Sequence, residues 1–261
     1  MSAQTAAHHS RILLLAVLGM MLGAIHPASA DPAVADLNAK VDIRGGDAND
    51  HGFGTAGVGA TLPLGPYFGT QIDAALSDSG GRIAKGGDAQ FFWRDPSRGM
   101  IGANVERAWR DGQYFDRFGP EAEYYYGQWT ALGQVGYQNG IIGRGVYAKL
   151  GADWYINDNL MVGPGFEDSA GRYTGSGNVE WQPGSMKEVP GLSLFATAGA
   201  GDHALLFVGV RYYFGADGTL KWRHRNEDPS NNIAIDMPNN LSQHAPNGST
   251  GGDGGGGGGG G

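Results

Sequence analysis

Ala204–Phe214 (ALLFVGVRYYF) decides the fold. Ala204, Leu206, Val208, Val210, Tyr212 and Phe214 fall on one side of an extended chain, and Leu205, Phe207, Gly209, Arg211 and Tyr213 on the other. Successive strand side chains point to opposite faces, so a period of two marks a β-strand. Val146–Ile156 (VYAKLGADWYI) repeats the pattern more sharply, with Val146, Ala148, Leu150, Ala152, Trp154 and Ile156 opposed to Tyr147, Lys149, Gly151, Asp153 and Tyr155. Trp129–Tyr137 and Phe118–Tyr126 alternate in the same way. No stretch after residue 30 carries an apolar stripe at helical spacing, so almost no helix is expected.

Clusters of Gly, Pro, Asn and Asp divide these runs, among them Pro63-Leu64-Gly65-Pro66, Asp95-Pro96, Asp111-Gly112, Asn139-Gly140, Asn157-Asp158-Asn159 and Gly201-Asp202. Such residues make hairpin connections. The runs between them predict about twelve strands, with ten as the alternative, at roughly 39–46, 52–62, 67–76, 88–94, 99–109, 114–126, 129–139, 143–156, 160–168, 176–182, 191–199 and 203–214.

Several of these runs exceed the usual soluble strand and reach the length that crosses a bilayer at a tilt. The polar faces carry both signs of charge: Lys40, Asp42, Arg44, Asp73, Asp88, Arg94, Glu106, Arg117, Glu121, Glu123, Lys149, Asp153, Glu180 and Arg211. Aromatic residues gather at strand ends, including Tyr67, Phe68, Phe91, Trp93, Trp109, Tyr114, Phe115, Tyr124, Tyr126, Trp129, Trp154 and Trp181. A membrane barrel accounts for all three features, because its apolar face meets lipid, its polar face lines a lumen, and its rings sit at the membrane–water interface. The expected fold is therefore all-β: an antiparallel up-and-down transmembrane barrel over 39–215. A soluble β-sandwich with the same faces turned inward is the competing architecture.

The flanks read differently. Ile12–Ile25 (ILLLAVLGMMLGAI) follows Arg11 and precedes Pro27-Ala28-Ser29-Ala30. A short apolar run followed by small residues is the pattern of a secretory signal, predicted to be cut after Ala30 by signal peptidase. Residues 31–38 form a lead-in. From 216 the chain becomes polar and then glycine-rich, with a basic cluster at Lys221-Trp222-Arg223-His224-Arg225, and this composition predicts a disordered periplasmic tail over 216–261. The cluster suits a solvated flank better than a contact with anionic headgroups. The net charge of −8 and the lack of a basic run ahead of the tail argue against nucleic acid. With no cysteine there is neither a disulfide nor a thiolate site nor a lipid-modified N-terminal cysteine.

Val208, Val210, Tyr212 and Phe214 alternate up to a terminal aromatic, which resembles the closing-strand signal read by the outer-membrane barrel assembly machinery. In that group the aromatic usually ends the chain, whereas here it is followed by Gly215 and a long extension. Phe91-Phe92-Trp93-Arg94-Asp95-Pro96, Tyr114-Phe115-Asp116-Arg117-Phe118-Gly119, Tyr155-Ile156-Asn157-Asp158-Asn159-Leu160 and Arg211-Tyr212-Tyr213-Phe214-Gly215 are similar to segments of uncharacterised proteobacterial porin-like outer-membrane barrels. The resemblance covers roughly residues 39–230. It implies a fold and a place in the outer membrane of a Gram-negative cell, with membrane lipid and the assembly machinery as partners, and it implies no reaction.

Residues arranged for chemistry are few. Asp50-His51 and Asp202-His203 fall in the first and last connections, which are neighbours in a closed barrel, so two imidazoles and two carboxylates form a weak candidate for zinc or copper. Ser193 and Ser77 lie nearest a possible serine–histidine arrangement, but nothing specific surrounds them. Glu121 and Glu123 share a strand face, where salt bridging to Arg117, Arg144 or Arg211 is the plainer reading. No cofactor is expected. The sequence thus favours a non-enzymatic barrel: a narrow channel for small polar solutes first, an adhesive or anchoring barrel second, and a lipid-modifying enzyme last.

Overall fold

The computed structural model describes residues 31–184, 189–215, 217–229, 237 and 241. The predicted signal segment lies outside the described residues. The rest is built on twelve antiparallel strands: β1 (Asn38–Ala48), β2 (His51–Pro63), β3 (Phe68–Ser79), β4 (Arg82–Asp95), β5 (Gly99–Arg110), β6 (Gln113–Tyr126), β7 (Trp129–Gly140), β8 (Gly145–Asn157), β9 (Leu160–Ser169), β10 (Arg172–Trp181), β11 (Leu192–Gly201) and β12 (Leu205–Phe214). After β12 comes the helix α1 (Leu220–Asn226).

Each strand pairs with its sequence neighbour, and β1 closes on β12 in register from Ala39 opposite Phe214 to Ala48 opposite Leu205. Closure leaves no free edge, so every strand finds backbone partners on both sides. Strands of 10 to 14 residues suffice to cross a bilayer at a tilt. The barrel has a terminal mouth, where β1 begins and β12 ends, and a far mouth at the opposite end.

The apolar face points outward. Ile43, Val58, Ile72, Leu76, Val105, Phe118, Leu206 and Val208 are exposed on the outer wall, and Lys40, Asp73, Glu106 and Arg117 are buried inside. This excludes the sandwich, in which the same apolar residues would form the core. Outward aromatics pair at the terminal rim, with Phe68 stacked on Phe91 at 5.6 Å and Trp129 on Trp154 at 5.7 Å. Phe115, expected in the outer belt, faces the lumen instead and is fully buried. The alternation itself requires this, because its strand neighbours Tyr114 and Asp116 take the outer face.

Connections at the far mouth are shorter than the sequence suggests. Strand β4 begins at Arg82, not near 88, and β10 at Arg172, not near 176. Glycine and small residues hid the alternation there, yet Ile83 is exposed outward and Ala84 buried inward. Two-residue turns at 49–50, 80–81, 111–112 and 170–171 have positive φ at both positions. That backbone matches the right-handed twist of the flanking strands. Three of these turns use Asn, Asp or Gly throughout, whereas the fourth places Ala170 at φ 52°.

Candidate functional site

The inward faces meet in a lumen of mixed charge. Strand register sets Lys40, Gly59, Asp73, Asp88, Glu106, Arg117 and Gln138 side by side across seven strands. A Cβ at Gly59 would collide with the Asp73 carboxylate and the Lys40 stem, so glycine lets these two side chains reach each other across β2. Lys40 Nζ lies 3.7 Å from Asp73 Oδ1. Further round the wall, Arg211 pairs with Glu180 at 3.0 Å and lies 3.9 Å from Asp42, which also binds Arg44. Arg117 pairs with Glu167 at 2.6 Å. Glu167 was not singled out from sequence, because the glycine-rich β9 hides its own alternation.

Of the residues expected inside, Lys40, Asp42, Arg44, Asp73, Arg94, Glu106, Arg117, Glu121, Glu123 and Glu180 are buried, whereas Lys149, Asp153 and Arg211 are partly exposed to the lumen space. Asp88 stands between Asp73 and Glu106 on the inward face and is buried. Like charges directly opposite one another destabilise a sheet, so this acidic strip is a local cost that the wall carries.

The terminal mouth is capped. Residues 217–229 belong to the stretch expected to be a disordered tail, but they fold back into the barrel. Thr219 caps α1 by accepting from the Trp222 amide at 3.3 Å, and the basic last turn opposes the helix dipole. Lys221 pairs with Asp158 at 2.6 Å, and its hydrogen bond holds that carboxyl below the usual range. Arg225 donates to the Trp129 and Gly127 carbonyls at 2.7 and 3.1 Å. Arg223 is buried and pairs with Glu227 at 2.9 Å. The basic cluster is therefore neither a solvated flank nor a headgroup contact. Composition could not reveal this, because the partners of Lys221 and Arg225 lie on the barrel rim, far away in sequence.

His224 is held between two phenols, with Tyr155 Oη 3.0 Å from Nδ1 and Tyr213 Oη 3.1 Å from Nε2. Burial pushes its pKa down, against the opposing pull of Glu180 and Asp228. Beyond the helix, Asp228 accepts a hydrogen bond from Lys40, so one wall lysine serves both Asp73 and the tail. The N-terminal lead-in completes the cap: the Ala33 amide donates to the Pro66 carbonyl at 2.9 Å, the Ala35 amide to the Asn226 carbonyl at 2.8 Å, and Val34 packs with Phe92 and Met100.

The contacts at the far mouth are apolar. Met237 and Leu241, both buried, cluster with Ala75, Ala84, Ala108, Phe115 and Ile142 from the wall, and Arg110 donates to the Leu241 carbonyl. Beside them Phe53, Phe195, Phe207 and Leu205 form a second apolar cluster, with the Arg44 guanidinium 5.0 Å from the Phe195 ring centre. Between the two mouths remains a cavity of about 280 Å³, whose walls include Arg44, Glu121, Glu123, Lys149, Asp153 and Arg211.

The weaker candidates can now be placed. The first and last far-mouth turns do touch, through Asn49 N to Ala204 O at 2.9 Å and Ala204 N to Asn49 Oδ1 at 2.9 Å. His51 Nδ1 lies 2.7 Å from the Asn49 carbonyl, and Asp202 accepts from the Tyr173 amide, so these groups serve the turns. Among the described residues no three His, Asp or Glu side chains are grouped to hold a metal. Ser193 meets a carboxylate that in turn lies near an imidazole, which is the wrong order for nucleophilic catalysis. Its hydroxyl donates to Glu180 Oε1 at 2.5 Å, while His224 Nε2 lies 3.8 Å from Glu180 Oε2. A triad needs the imidazole between serine and acid, to take the hydroxyl proton. Here Glu180 is a hub that also accepts from Tyr213 at 3.0 Å. Ser77 accepts from Thr55 at 2.8 Å, and Glu123 accepts from Tyr125 at 2.7 Å, both as wall contacts.

No protein-family model and no curated protein matches the sequence. Solved structures do match the fold. The KdgM porin superposes with a TM-score of 0.56 at 11% identity, covering 67% of this chain and 99% of that one. The same porin in complex with disordered oligogalacturonate gives 0.54 at 11% identity, over 67% and 99% of the two chains. A structure from a study of the in-meso crystallization of membrane proteins gives 0.53 at 14% identity, over 76% and 97%. At such identities the likeness is one of architecture, and the chain has an outer-membrane-type, porin-like β-barrel fold.

Proposed function

We propose that this protein is a non-enzymatic barrel of the Gram-negative outer membrane that forms a narrow channel for small polar solutes. The observation that carries the reading is the charged lumen: acids and bases of both signs line a cavity of about 280 Å³ inside a wall whose outer face is apolar. A barrel built only to anchor needs no such lining. Twelve strands also enclose more space than the eight whose side chains just fill the interior. On this reading the N-terminal segment addresses the chain to signal peptidase, the β12 alternation ending at Phe214 addresses it to the barrel assembly machinery, and the far mouth faces outside. Adhesion is the second reading. The tight far-mouth turns count against it, since they present little surface to a partner.

Two measurements test the proposal in order. Outer-membrane fractions run on a gel with and without boiling in detergent should show a mobility shift, because a closed barrel stays folded in cold detergent. Purified protein in planar bilayers, with the lumen cleared as described below, should then give conductance steps. Absence of steps from a cleared, folded barrel would end the channel reading.

A further inference from the structure

We propose that residues 217–229, seated in the terminal mouth, and Met237 and Leu241, seated at the far mouth, act as an intramolecular plug, and that the channel conducts only when they are displaced. The inference rests on the channel reading for what is blocked, but not for where the segment sits. Three points along the extension locate it. At the terminal mouth, α1 is fastened to the rim through Lys221–Asp158 and Arg225 to the Trp129 carbonyl. Deeper in, Asp228 engages Lys40, and Gln71 on β3 donates to the Pro229 carbonyl at 3.4 Å. At the far mouth, Met237 and Leu241 are buried in a cluster whose other members belong to β3, β4, β5, β6 and the β7–β8 turn. Described residues close together in sequence thus touch both ends of the barrel.

The wall is built to receive this occupant. Ala75, Ala84 and Ala108 are small inward residues grouped on three adjacent strands, and they leave room that the methionine and leucine side chains fill. An inward patch of alanine facing open water would gain nothing from its position, whereas one covered by Met237 and Leu241 buries apolar surface on both sides. Arg110, directed at the Leu241 carbonyl, satisfies a backbone acceptor that the apolar cluster would otherwise leave bare.

The chain contains no cysteine, so single thiols report cleanly. Leu241→Cys in the full-length protein, folded in detergent, should react with a bulky maleimide at least about tenfold more slowly than after boiling, since only transient opening exposes a seated residue. Adding Met237→Asp places a charge in the apolar cluster without touching the wall. It should restore the fast reaction, and combined with Lys221→Ala, Arg225→Ala and Asp228→Asn, which unfasten α1 at the terminal mouth, it should produce conductance steps where the unmodified protein gives none. A Leu241→Cys thiol that reacts at the boiled rate, in protein whose gel shift shows a folded barrel, overturns the plug. If these changes free the thiol and strip amide protection from α1, yet no steps appear, the plug stands and the channel reading falls.

Discussion

The two mouths hold the described parts of the extension by opposite chemistry. At the terminal mouth a short helix and the N-terminal lead-in are held by ion pairs and hydrogen bonds: Lys40–Asp228, Lys221–Asp158, Arg225 on two rim carbonyls, and His224 between Tyr155 and Tyr213. At the far mouth Met237 and Leu241 sit among alanines, Phe115 and Ile142. Polar closures are directional and respond to pH or to loss of one partner, whereas an apolar closure depends on the area buried and is nearly indifferent to salt. A segment fastened this way has one end that can be unlatched chemically and one that releases only by exposing apolar surface.

The largest expected effect breaks the polar end. Lys40→Met leaves Asp228 and Asp73 buried without their cation, and removing one partner of a buried pair costs about 3–5 kcal/mol. Helix α1 should undock, read as a loss of amide protection over 220–226. Lys40→Met with Asp228→Asn should recover most of the loss, and additive effects in that cycle would mean that the pair is not coupled. Next comes the apolar end. Leu241→Ala should weaken seating at the far mouth by about 2–4 kcal/mol through lost burial and the cavity left behind. Unlike the first effect, this one should stay the same between low and high salt.

A third test sharpens the contrast through pH. His224 faces Glu180, Asp228, Arg211, Lys40 and the hydroxyls of Tyr155 and Tyr213, and burial pushes its pKa below the ordinary 6.5. The undocked helix therefore binds a proton more readily than the docked one, and docking weakens as pH falls below about 6.5. Amide exchange in α1, corrected for its intrinsic pH dependence, should rise in that window, and His224→Gln should flatten the response. The far mouth should not follow. The smallest effect lies on the rim and should disturb neither closure: Ala170→Asn relieves a left-handed alanine and should raise barrel stability by about 1 kcal/mol, read as a higher temperature for the gel shift.

Much of the wall was legible because its signal is local. Val146–Ile156 and Ala204–Phe214 declare their faces residue by residue, and the ionic residues expected inside lie on the inward faces of the structure. Legibility fails where side chains are too small to carry a pattern. The strand starts at Arg82 and Arg172 were missed among glycines and alanines, and so was Glu167 on β9. It fails again in the extension, where Trp222, Arg223 and Arg225 read as solvated because their composition is polar. Their partners, Thr130 and the Trp129 and Gly127 carbonyls for Arg225 and the phenols beside His224, belong to strands about 10 to 100 residues away.

The sequence by itself determined most of the wall's strands, their two faces and the turns between them, since alternation and turn chemistry act over a few residues and need no knowledge of the rest of the chain. Only the tertiary structure decided what fills that wall. Whether a polar segment stays in water or enters a lumen depends on partners brought close by closure. Lys40 and Asp228 lie 188 positions apart, and no local pattern in either segment announces that they meet.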